Sequence, residues 1–331
     1  MVPEQSVIKS TAVPPVGSTS LPDRLTLAAF ALMILAGGGS SIAIRFTYAE
    51  LPPFWSGTAR FMVGAMMFWS LLFLRKIDIP KGRALLGAVL FGALNIGGAF
   101  ILIAWGLVKT PASLYQVLMA LVPLLTLFFA SIHGLETFSR RGLFGSLLAV
   151  AGIAFAVGGS IGIELSIPRV LAIIAAAGFM AEASVVVKRF PRTHPIATSA
   201  IAMTIGAIML GTVSLLTGER WVIPTQIQTW MAFGYLILVV NLITFSLFLF
   251  ILGRWTASRT SYGFVLIPLV TVVMAATFTG ELITWNFMIG GVLVLFGVFF
   301  GALLSPKPRE SLGEVKPSIS AEILSYRSPC S

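Results

Sequence analysis

Ten runs of apolar residues, each about the length of a membrane span and separated by short charged or proline-bearing joints, fill most of this chain. They fall approximately at 25–44, 54–74, 84–105, 112–131, 142–159, 168–187, 196–217, 229–252, 261–279 and 286–304. A bilayer core takes about 20 apolar residues of helix. The runs are continuously apolar, whereas barrel strands alternate, so a β-barrel does not fit. Of the 331 residues, 57% are hydrophobic and 10% charged, against about 25% charged in soluble domains. A water-soluble core of that size would lack a polar coat. The expected fold is therefore an all-α integral membrane protein with ten transmembrane helices, its short joints making antiparallel hairpins.

The polar residues exclude several functions. Both aspartates, Asp23 and Asp78, sit in joints, and the single cysteine, Cys330, can form no intrachain disulfide. His133 and His194 lie too far apart for a local metal motif, so neither a metal nor a cofactor is expected. The net charge of +10 is parcelled into short joints without a basic stripe, which speaks for membrane orientation and against nucleic acid. With the N-terminus cytoplasmic, 17 basic residues fall on that side and 4 on the other, with Arg60 inside a span. Both termini are thus expected in the cytoplasm. Residues 1–24 lack the apolar core of a signal peptide, and both 1–24 and 305–331 read as disordered cytoplasmic tails.

The chain also repeats itself. "VPLLTLFFASIHGLE", from Val122 to Glu136, is echoed by "IPLVTVVMAATFTGE", from Ile267 to Glu281, at an offset of 145 residues. Gly145 and Gly152 answer to Gly290 and Gly297 at the same offset. The simplest reading is two five-helix units, 25–160 and 161–304. Five is odd, so the second unit enters the membrane from the opposite side. Inverted repeats around a shared site can exchange conformations and open that site to either face in turn.

These segments carry a family resemblance. "AWGLVKTPASLYQVLMALVPLLTLFFASIHGLETFSRRGLFGSLLAVAGIAFAVGG" resembles the end of an EamA domain of the drug/metabolite transporter superfamily, and "ASRTSYGFVLIPLVTVVMAATFTGELITWNFMIGGVLVLFGVFFG" repeats the pattern. The glycine before the closing Glu is displaced between the copies, at Gly134 and Gly280. The resemblance implies ten helices around a central cavity and export of amino acids, other metabolites or drugs. It also implies the bacterial inner membrane, a small-molecule substrate and the lipid bilayer as partners. Protons as coupling ion and a homodimer stay open.

A charge at the centre of a membrane helix costs about 2.5–3.5 kcal/mol, so polar groups inside spans mark candidate substrate contacts. Glu182 is the acid set well inside a span, roughly 9 Å from its end. It suits a cavity carboxylate, or a helix-pairing group partnered by Lys188 or Arg189. Arg60 lies about as deep from the other face and could hold a substrate carboxylate or reach the headgroups. Asn95 and Asn241, near the middles of spans three and eight, can face a ligand or bridge helices. Tyr115, Gln116, Ser261 and Tyr262 bring polar groups to helix ends, and Trp105 and Trp69 could line the cavity. Glu136 and Glu281 read as capping or pairing groups, with His133 placed to pair with Glu136.

Two substrate classes follow for a secondary transporter. An amino-acid-like metabolite would use Arg60 and the asparagines. A lipophilic cation, exported in exchange for protons, would use Glu182 and aromatic walls, somewhat as the related small multidrug resistance proteins use a membrane Glu. An intramembrane enzyme would need a nucleophile–base pair or metal site at membrane depth, and no such set is present. No GxxxxGK[ST] appears for an ATP-driven pump, and no repeated filter sequence suggests a channel.

Overall fold

The structure is a computed structural model that describes residues 23–108, 110, 115, 118–137, 139–157, 166–279 and 285–300, and its regular elements there are all helical. Six are long and apolar enough to cross a membrane: α1 (Arg24–Tyr48), α2 (Pro53–Leu74), α3 (Arg83–Leu107), α6 (Ile167–Val187), α7 (Pro195–Leu216) and α8 (Ile227–Arg254). The others are α4 (Val122–Ile132), α5 (Arg140–Val157), α9 (Gly263–Thr279) and α10 (Trp285–Val298), of 11, 18, 17 and 14 residues. A short helix, Ala257–Ser261, leads into α9. This set is compatible with ten spans. The expected tails, Gln116 and Glu281 lie outside the described residues, apart from residues 23 and 24 of the first tail.

Prolines mark helix starts. Pro53 opens α2 and Pro195 opens α7, where a missing N–H costs nothing. At the other ends, Gly134 and Gly218 adopt φ of 69° and 68°, a left-handed conformation that only glycine takes up without strain. Each closes its helix and leaves an acid, Glu136 or Glu219, just beyond.

The packing displays the repeat. α2 packs on α7 and α5 on α10; α3 packs on α6 as α8 packs on α1; α4 packs on α6 as α9 packs on α1. Every pairing maps onto itself or another when each helix is exchanged for the one five later. The paired counterparts also run in opposite directions. Gly57 meets Leu210 whereas Gly64 meets Met203, so α2 and α7 are antiparallel. Gly152 of α5 lies against the Gly290 carbonyl, and Gly297 of α10 lies against the Gly145 carbonyl. A Cβ at either glycine would come within 2.8 Å or 2.6 Å of backbone oxygen, so the echoed glycines exist to let the two helices touch. A helix lying antiparallel to its repeat counterpart is consistent with an inverted repeat.

Acids tie one half to the other. Glu219 accepts from the backbone N–H groups of Phe54 (3.2 Å) and Trp55 (2.7 Å), capping α2, and from Ser214 Oγ. Trp55 also stacks on Trp221 at 4.4 Å. Glu50 accepts from the Thr225 and Gln226 N–H groups at the start of α8. At the opposite face, Glu136 accepts from the Ser258 N–H of the short helix. A carboxylate at a helix N-terminus satisfies donors the helix itself cannot. Glu136 does cap, as expected, but it caps the partner half and not the helix that follows it. The flanks carry exposed apolar side chains such as Leu32, Leu35, Met66, Phe73, Ile208 and Leu215, which only a lipid solvent accommodates.

Candidate functional site

Near its middle, α3 passes through a π-helical stretch at Ala93–Gly98, and α8 does the same at Leu236–Thr244. Each stretch carries a buried asparagine, Asn95 or Asn241. Such local widening redirects side chains and recurs at functional sites. Asn241 Nδ2 donates to the Arg60 carbonyl at 3.1 Å, whereas Asn95 Oδ1 is buried without a partner. Gly64 and Gly206, each eleven residues after its helix's opening proline, explain the difference. Gly64 rests against Asn241, but Gly206 rests against Ile96. Ile96 therefore holds the position equivalent to Asn241, and Asn95 is turned one residue away.

Helix register sets the depth of the polar groups. α3 meets α6 through Gly87–Phe190, Gly98–Phe179 and Gly106–Ile173, which brings Asn95 level with Glu182. α3 meets α7 through Gly92–Ala202 and Ile96–Gly206, and α7 meets α2 as above, which brings Arg60 to nearly the same level. Arg60, Asn95, Asn241 and Glu182 thus depart from one slab across the middle of the bundle. Their side chains then separate.

Arg60 is 5% exposed. Its guanidinium lies over the Phe61 ring at 4.4 Å and the Phe100 ring at 5.0 Å. It faces a narrow crevice, with room for at most about one water, lined by Tyr48, Ser56, Gly57, Ile103, Ala104 and Leu210. Tyr48 and Tyr115 are within electrostatic reach of it. Its Nε has no hydrogen-bond partner, and among the described residues no carboxylate comes within ion-pair distance. Two ring contacts contribute about 0.5–2 kcal/mol each, while burying an ion costs several kcal/mol. The imbalance favours an anion at this place. The guanidinium does not reach for the headgroups.

Glu182 points the other way. Its Oε1 lies 3.0 Å from His133 Nε2, and Arg189 Nη1 lies 3.2 Å from His133 Nδ1. A guanidinium can only donate, so Nδ1 accepts and Nε2–H donates to the carboxylate. Glu182 Oε2 is buried without a partner. His133 thus pairs with Glu182, not with Glu136. Lys188 donates instead to the Trp255 carbonyl. Burial lowers its ammonium to about 8, with Glu136 pulling it back up.

The remaining candidates divide. Tyr115 is half-buried against the cluster formed by Ala99, Leu118, Ile173 and their neighbours. Tyr262 is fully buried and its hydroxyl is spent on Ser146 Oγ (3.0 Å) and the Gly142 carbonyl, holding α9 to α5. Trp105 is 41% exposed with Arg169 against its ring, a boundary position away from the crevice. Trp69 donates to Thr204 Oγ1 between α2 and α7. Sequence reasoning missed Tyr48, the Arg189–His133 contact and the clasps of Glu50 and Glu219. For the clasps a signal existed: both acids stand in the turns at helix ends.

Two matched helical units packed antiparallel around a polar slab fit the class of membrane carriers. Two stretches, 24–158 and 167–302, each match the EamA-like transporter family, and the chain belongs to that family. It is 28% identical over 259 residues to the uncharacterized inner membrane transporter YedA of Escherichia coli K12, covering 77% of this chain and 82% of that one. It is 28% identical over 291 residues to the uncharacterized transporter YyaM of Bacillus subtilis 168, covering 83% and 92%. A solved crystal structure superposes with a TM-score of 0.73 at 20% identity, over 85% of this chain and 98% of that one, and speaks to the fold alone. The protein is a membrane transporter and not an enzyme.

Proposed function

We propose that this transporter exports a small organic metabolite of amino-acid size by alternating access. Its setting in this reading is the bacterial inner membrane with both termini cytoplasmic, as the distribution of basic residues and the name of the E. coli relative suggest. The observation that carries the reading is Arg60, a buried cation with no carboxylate within ion-pair distance among the described residues, rising from the slab where the two halves meet. Arg60 takes the anionic end of the solute. Asn95, with a free buried oxygen, and Tyr115 supply polar contacts, and Asn241 fixes the α2 backbone that carries Arg60. Exchange of the two halves' conformations then moves the site from one face to the other.

The test is transport by purified protein in liposomes against a broad solute panel. Saturable movement of one solute class is expected; no uptake, exchange or thermal stabilisation by any solute would sink the reading. One observation favours a second reading. Glu182 Oε2 is buried and unpartnered, so proton-coupled export of a lipophilic cation remains its rival, and the two differ in whether Arg60 or Glu182 meets the solute.

A further inference from the structure

We infer that the Arg60 crevice receives a small carboxylate with no ammonium group beside it, a net anion and not a zwitterion. The inference rests on the carrier reading above and narrows its substrate class. The polar groups around the guanidinium are hydroxyls, with no carboxylate within ion-pair distance of it among the described residues. Tyr48 and Ser56 line the crevice with hydroxyls, and the Tyr115 phenol is within electrostatic reach of Arg60. All can donate to a carboxylate oxygen. An ammonium would need a carboxylate or free carbonyls to match Arg60's hold on the anion, and the carbonyls of Ile44 and Phe54 are already engaged. Thr47 Oγ1 donates to the Ile44 carbonyl at 2.8 Å, and Thr58 Oγ1 to the Phe54 carbonyl at 2.8 Å.

The acids are committed as well. Glu219, the acid within electrostatic reach of Tyr48, has both oxygens engaged by Phe54, Trp55 and Ser214. Glu50 is engaged by Thr225 and Gln226, and Glu182 turns toward His133. An ammonium brought in beside the carboxylate would meet Arg60 as a like charge in a poorly screened place. The rest of the lining, Ile103, Ala104 and Leu210, suits an apolar body. An α-amino acid would leave its ammonium unpaired; a 2-oxo, 2-hydroxy, N-acyl or plain carboxylic acid would not.

Two matched sets of ligands test this, each with one skeleton and three charges. The first is 3-phenylpropanoate, phenylalanine and 2-phenylethylamine; the second is butanoate, 2-aminobutanoate and propylamine. Binding of each to the full-length protein in nanodiscs is measured by thermal shift and by competition. In at least one set the anion should bind about tenfold or more tightly than its zwitterion, with no response to the amine. Arg60→Gln should abolish the anion response. Arg60→Lys, which keeps the charge but not the planar fork, should retain the preference for the anion at reduced affinity and serves as the folded control.

A zwitterion or amine binding as tightly as its anion would overturn the inference and leave the carrier reading standing. So would silence from both anions while another solute is carried. Only silence across the whole transport panel would remove both.

Discussion

Arg60 and Glu182 begin at the same depth and end in different company, and that divergence separates the two readings of the site. Arg60 finds aromatic rings and, among the described residues, no acid within ion-pair distance; Glu182 finds an imidazole held by a guanidinium. If the Glu182 carboxylate carries the coupling proton, removing it must flatten the pH profile. The account built on Arg60 expects Glu182→Gln to leave the pH dependence of transport unchanged and to lower the rate by less than about tenfold, as a helix-pairing group would. A flattened profile in liposomes would transfer the central role to Glu182. Both residues were visible in the sequence because a charged side chain inside an apolar run stands out. Their partners were not. His133 is one turn from Glu136 along the chain, yet it is bound across space to α6, and no spacing rule reports a contact between α4 and α6.

At the scale of elements, the loop acids do work that looks like surface chemistry from sequence alone. Glu50 is held down to about 2, chiefly by the Thr225 hydroxyl, then by Thr229 and the backbone of Gln226 and Thr225. Its folded value lies below the ordinary 4.5. The stabilisation is therefore complete above about pH 4.5 and is lost as pH falls through the window toward about 2. Thermal unfolding in nanodiscs should show the wild type losing stability across that window. Glu50→Gln should start lower and lose less; parallel curves would contradict the clasp. The spans themselves were legible because lipid imposes one rule on every residue it touches. The π-helical stretches in α3 and α8 were not, since glycines and asparagines in a helix read equally well as packing. Their one-residue difference in register, Ile96 against Asn241, shows only when Gly64 and Gly206 are seen in contact.

At the scale of the whole molecule, the two matched units are joined at one face by Glu50, Glu219 and the Trp55–Trp221 stack and at the other by the Glu136–Ser258 and His133–Glu182 contacts. The duplication was readable from echoed glycines and prolines, and the antiparallel crossings of α2 with α7 and α5 with α10 give it physical form. With ties at both faces and a crevice barely wide enough for water, the alternating access proposed above would have each set of ties open in turn. Asn95 lies in the slab with an oxygen that makes no bond within the protein, so a cysteine there should leave the fold intact and weaken, not abolish, solute binding. The most direct measurement places Asn95→Cys in a background where Cys330 is serine and applies a membrane-impermeant thiol reagent from each side of sealed vesicles. Alternating access predicts modification from both faces, with a saturating transported solute lowering one rate and raising the other. Modification from one face only, or from both with no response to solute, would contradict it.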